Sequence, residues 1–184
     1  MATAFPLPTD AQLSDESRAL LARRAAVGVY RMAAWSPALH PPFMALVTAL
    51  FDDTVLDAKV REAVILRVAM HEGSAYEAHH HRGLALDAGL AADEVRSLLT
   101  DAHADLGDPR LETAVEFTDA LFGPPGALEP LRARIQEEFG PRGAAELALL
   151  AGAYRMVATL IAATGLVPES QTASQLRAAI RHPD

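Results

Sequence analysis

Proline and glycine cut this chain into helix-length pieces, and the pieces between them lack the period-two alternation of strands. Ser14 caps a first helix running to about residue 34, where Trp35-Ser36-Pro37 breaks it, since a residue before proline is pushed out of the helical region. Pro41 and Pro42 suit the start of a second helix through Phe51. Thr54-x-x-Asp57 resembles a capping box for a third, over about 56–70, which Gly73 ends. Ser74-x-x-Glu77 opens a fourth, and Gly89 closes it at the C′ position. A short fifth helix carries Asp93 early and ends at Leu99. Asp108-Pro109 is an N-cap and N1 pair for a sixth, in which Leu111, Ala114, Val115, Thr118, Leu121 and Phe122 follow the 3.6-residue period. Gly123-Pro124-Pro125-Gly126 stops it. Helices over 130–139, 144–164 and 170–181 complete the chain, the first two parted by Gly140-Pro141. The expected fold is all-α.

Composition agrees with this pattern. Half of the 184 residues are hydrophobic but only 5% are aromatic, so Ala, Leu and Val do most of the packing. Ala and Leu lose little rotamer freedom in a helix. We expect a single domain over residues 1–184, with 1–35 as an N-terminal helical extension. A net charge of −8 argues against a nucleic-acid partner, because phosphate binding needs a basic stripe and the arginines here are scattered among acids. Residues 1–9 lack the basic and apolar regions of a signal peptide, so a cytoplasmic location is expected. The stretch 147–163 is strongly apolar but holds Arg155 near its centre, with Glu146 abutting it. A central arginine is costly in a bilayer, so a core or inter-subunit helix is expected and no membrane partner. There is no cysteine, hence no disulfide, thiolate nucleophile or Cys-ligated metal.

Chemistry concentrates between residues 61 and 85. Ile65, Leu66 and Ala69 follow Glu62 at helical spacing, which puts its carboxylate on an apolar face. Such a carboxylate either pairs, with Arg61 or Arg155 for example, or has a raised pKa. One helix later Glu77 and His81 lie four apart and share a face. A part-buried imidazole beside a carboxylate suits a general acid or base. The structural alternatives are a capping-box role for Glu77 with Ser74, and a core His81 satisfied by Glu77 or Tyr76. His79 and His80 point elsewhere and are expected to be solvated. Consecutive helical positions fan out by about 100°, so the three histidines do not share one ion. Glu62, Glu77 and His81 allow a zinc, iron or manganese site on spacing, yet no HExxH motif is present. With no glycine-rich phosphate loop either, we expect neither metal nor other cofactor.

Glu62, Tyr76-Glu77, His81, Ala85 and Gly89-Leu90 together resemble the carboxymuconolactone decarboxylase-like family, which includes the alkyl-hydroperoxidase D-like proteins. The peroxidase branch carries a Glu, a Cys twelve positions on, then xxC and xxxH; Glu62 and His81 match, while Ser74 and Glu77 stand at the cysteines. The resemblance runs from about residue 33 to 166 and includes the Arg61-Glu62 helix and the Tyr154-Arg155 helix. It departs at Ala78, where relatives often carry Trp. It implies an alkyl-hydroperoxidase D-like helical fold, a hairpin of the Glu62 and His81 helices, and assembly as a homotrimer or homohexamer. Peroxidase chemistry does not carry over, since it needs a peroxidatic thiolate and a resolving thiol.

Two classes of function follow. The first is a cofactor-independent acid–base enzyme of decarboxylase or lyase type acting on a small carboxylated or lactone-like molecule. His81 is then the general acid or base, tuned by Glu62 and Glu77, with Tyr76 as hydrogen-bond donor. Arg155 (or Arg67) would grip a substrate carboxylate, and Ser74 would line the substrate site. The second is a non-catalytic oligomeric binding or scaffold protein that keeps the fold without the thiols.

Overall fold

In a computed structural model of the protein, which describes residues 4–23, 27–100 and 106–168, every regular element is helical. The eight α-helices among these residues are α1 (Asp15–Ala22), α2 (Gly28–Ala33), α3 (His40–Asp52), α4 (Ala58–His71), α5 (Ala75–Asp87), α6 (Ala92–Leu98), α7 (Pro109–Leu121) and α8 (Arg132–Thr164). They fall into two compact units, one formed by 54–158 and the other by residues up to 53 together with those from 159 onward. The divisions fall at 53/54 and 158/159.

The 54–158 unit is built around α4. Its N-cap is Asp57, whose carboxylate accepts the Val60 amide proton at 2.9 Å; the helix therefore starts at Ala58, two residues later than a Thr54 box implied. A short Asp side chain satisfies the orphan amide by itself. Every residue from Glu62 to Ala69 is buried, so α4 is enclosed on all sides, with α5, α6 and α7 packed against it. Burying each of Ile65, Leu66 and Val68 contributes about 1.5–3 kcal/mol. A tight Gly73 turn, at φ 62°, reverses the chain into α5. Asp108 caps α7 through the amides of Arg110 and Leu111, and Pro109 takes the first turn, where its missing N–H costs nothing.

The separate helices expected over 130–139 and 144–164 are the two segments of α8, which meet at a kink where Gly140 leaves the helical region (φ 64°, ψ −179°). The helix resumes directly at Pro141, because proline's fixed φ suits a first helical turn. Residues 129–164 are long and apolar enough, by length and composition alone, to cross a membrane. Within the stretch, Leu147, Leu150, Tyr154 and Val157 are buried, while Ala148, Leu149, Gly152 and Met156 are exposed.

In the other unit the expected helix 14–34 is two. α1 ends at Ala22 and α2 starts after Val27, which is extended (φ −91°, ψ 122°). Val27-Gly28 is a pair of weak helix formers, and helix continuity fails there. The Ser17 hydroxyl meets His40 Nδ1 at 3.0 Å in the interior between α1 and α3. Phe5 N–H donates to the Thr164 carbonyl, and Trp35 Nε1–H to that of Pro6, both at 2.9 Å. The helix expected over 170–181 lies outside the described residues.

Candidate active site

Helices α4 and α5 run as a hairpin, and it brings Glu62 against His81. The Nδ1 of His81 lies 2.7 Å from Glu62 Oε2, in the interior. The other Glu62 oxygen accepts from Arg61 Nε at 3.2 Å. Of the two arginines offered as partners for Glu62, the structure takes Arg61. With Nδ1–H donating to the carboxylate, the lone pair of the neutral imidazole sits on Nε2. Tyr154 from α8 meets the His81 ring edge-on, centroids 5.1 Å apart at 87°. Tyr154 entered the sequence reading only as part of a resemblance; no spacing rule ties a residue 73 positions away in chain to His81.

Glu77 occupies the same face as His81, one turn earlier, and is 2% exposed. The capping box expected here is half formed. Ser74 Oγ accepts the Glu77 amide at 3.4 Å. The Ser74 amide donates to the Ala69 carbonyl instead of to the Glu77 side chain. The Glu77 carboxyl therefore does not complete the box, although the Ser74 hydroxyl stands near enough to act on it. Neither of its oxygens has a hydrogen-bond partner among the described residues. Burial pushes its pKa from 4.5 up to about 8; the Ser74 hydroxyl pulls it down in part, and the charge of Glu72 adds to the rise.

The other predicted residues lie elsewhere. Tyr76 packs on His80, with ring centroids 4.4 Å apart, and not on His81. His80 is buried, against the expectation of solvation, because that tyrosine at i−4 covers it; His79 is exposed. Arg155 Nε pairs with Glu72 at 2.8 Å and its guanidinium lies 4.7 Å from the Phe122 ring centre, so it does not pair with Glu62. Arg67 grips Asp119 with two nitrogens and donates to the Thr100 carbonyl at 2.7 Å. Asp119 also bonds His71 Nε2 at 2.7 Å, and His71 stacks on Phe122. Among the described residues no three His, Asp or Glu side chains converge as a metal site requires.

The α4–α5 hairpin thus carries a buried carboxylate–imidazole pair. Residues 37–120 match the carboxymuconolactone decarboxylase family, and this region carries both Glu62 and His81. The match covers a little under half of the chain, and over that stretch the chain is similar to this family. Its fold is shared with the crystal structure of an uncharacterized peroxidase-related protein from Silicibacter sp. TM1040, at a TM-score of 0.72 and 20% identity over 95% of this chain and 96% of that one. No curated protein matches it.

Proposed function

We propose that the chain is a cofactor-independent acid–base enzyme acting on a small lactone-like or otherwise enolisable molecule, with His81 as the proton-transfer group. The observation that carries this reading is the buried 2.7 Å contact between His81 Nδ1 and Glu62. A carboxylate so placed fixes the tautomer and stabilises the charge that develops when Nε2 takes a proton. Arg61 on the far side of Glu62 holds the carboxylate in position. Tyr154 limits rotation of the ring from its edge. A peroxide reaction through thiols has no cysteine to run on. We also propose that copies of the chain associate, since α8 presents an apolar face to solvent.

The test is turnover of carboxymuconolactone, related lactones and β-keto acids by metal-stripped protein, alongside His81→Ala. Loss of turnover in a variant that keeps its helicity and oligomeric state supports the reading. Turnover that survives His81→Ala removes His81 from the mechanism. Failure to process any of these compounds moves the weight to a non-catalytic binding protein.

A further inference from the structure

Among the described residues nothing fixes the Glu77 carboxyl, and only the Ser74 hydroxyl stands near it. It does not cap α5, it makes no ion pair among the described residues, and both of its oxygens are buried without partners. An ionised carboxylate left in that state is expensive, whereas a neutral acid is far less so and leaves one O–H to donate. On α5 the side chain projects from the same face as His81, with the two Cβ atoms about 5–6 Å apart at this spacing.

The cations bear on what that molecule carries. Arg61 is held by Glu62, Arg67 by Asp119 and the Thr100 carbonyl, and Arg155 by Glu72 over the Phe122 ring. Each would have to give up an ion pair to take a substrate carboxylate. Two of those pairs are partly or wholly buried, where breaking one leaves an uncompensated charge.

Resting on the acid–base reading above, we propose that Glu77 is a catalytic hydrogen-bond donor, a neutral carboxylic acid whose O–H binds the carbonyl oxygen of an uncharged, enolisable substrate. In the reaction, the C–H bond beside the carbonyl breaks and its proton goes to His81 Nε2. The electron pair forms a C=C bond, and the carbonyl π pair moves onto the oxygen that Glu77 holds. Return of the proton from His81 to the same carbon, or to the far end of a conjugated system, regenerates the neutral product and the enzyme. Nothing is oxidised or reduced, and no co-reactant is consumed. The raised pKa of Glu77 supports the neutral form at physiological pH. Proton transfer at carbon is thereby favoured over decarboxylation, which needs a carboxylated substrate.

Two measurements on the full chain test this. The first is infrared difference spectroscopy of wild type against Glu77→Gln at neutral pH, with and without γ-valerolactone, an unreactive neutral lactone. A carboxylic-acid carbonyl band that is absent in the variant and shifts when the lactone is added is the expected result. A missing band, or one that the lactone leaves unmoved, overturns the proposal. The second is isomerisation of α-angelica lactone, an uncharged β,γ-unsaturated lactone, set against muconolactone, which carries a carboxylate. The neutral compound is expected to have the higher kcat/KM. Glu77→Leu should lower kcat by about 10²–10³, the cost of one oxyanion donor, and Glu77→Gln, whose amide still donates, should recover at least part of it. Preference for the carboxylated lactone, or a leucine variant as fast as wild type, overturns the proposal. If catalysis survives His81→Ala while the acid band still responds to the lactone, the acid–base reading fails and the binding role of Glu77 stands.

Discussion

At the scale of single residues the pattern of Glu62, Glu77 and His81 was readable because helix periodicity converts sequence spacing into a shared face. Periodicity does not say where a long side chain ends. Glu77 read equally well as a cap, and only the Ser74 amide, donating to Ala69, shows that it is not one. Burial of this carboxyl has a consequence for folding. Its pKa is raised from 4.5 to about 8, so the folded state binds the proton more tightly than the unfolded chain. The contribution is therefore fully favourable below pH 4.5 and is lost as pH rises through about 8, a penalty on the order of 5 kcal/mol when complete. Glu77→Gln removes this slope. Denaturant midpoints measured across that range should converge for the two proteins at the acid end, with the variant the more stable above pH 8. Parallel curves would mean that Glu77 ionises normally. At the neighbouring pair, Glu62→Gln should lower kcat by about 10²–10⁴ with little change in KM, because an amide no longer enforces the Nδ1–H tautomer. Steady-state kinetics on whichever lactone the wild type processes would show it.

Among the elements, starts and stops with a chemical signal were legible, such as Asp108-Pro109 and Gly73. Those set by competition between weak preferences were not. The break between α1 and α2 has neither proline nor a cap signal, and nothing local marks Val27 as extended. Gly140 is the opposite case, since its φ of 64° with ψ near 180° is a conformation open in practice to glycine. Gly140→Ala is expected to destabilise the protein by about 1–3 kcal/mol although space around its Cβ is open. A thermal or urea melt that matches wild type would show that α8 straightens through this point without cost. The α1–α3 contact carries its own pH signature. Burial lowers the pKa of His40, with Glu16 and the Tyr30 backbone opposing it, so the unfolded chain takes up a proton more readily. That stability is present above the ordinary histidine value of 6.5 and is lost as pH falls through the lowered one. His40→Asn should flatten the acid limb of the melting curve, and an unchanged limb would assign the acid loss to other groups.

For the molecule as a whole, the apolar stretch 147–163, with Arg155 against a bilayer, leaves the choice between core and subunit contact open in the sequence. Its two faces answer differently. Leu147, Leu150, Tyr154 and Val157 are buried by the fold of the 54–158 unit. Ala145, Ala148, Leu149, Gly152 and Met156 recur at helical spacing on the opposite side and reach solvent. Leu149 and Met156 remain 59% and 47% exposed, and Arg155 between them bonds Glu72. An amphipathic surface helix carries polar residues outward. Here the outward face is apolar and studded with small side chains, which lets another helix approach closely, and single exposed apolar residues would need no explanation whereas a continuous stripe does. Self-association accounts for that stripe without invoking the fold. Sedimentation of the wild type should accordingly give a mass several times the 19.6 kDa of one chain. Leu149→Glu with Met156→Glu places like charges on every copy of the contact, at a cost of several kcal/mol. That double variant should run as a monomer with unchanged helicity. A wild type already monomeric at micromolar concentration, or a double variant that still assembles, would show that this face of α8 is not where the copies meet.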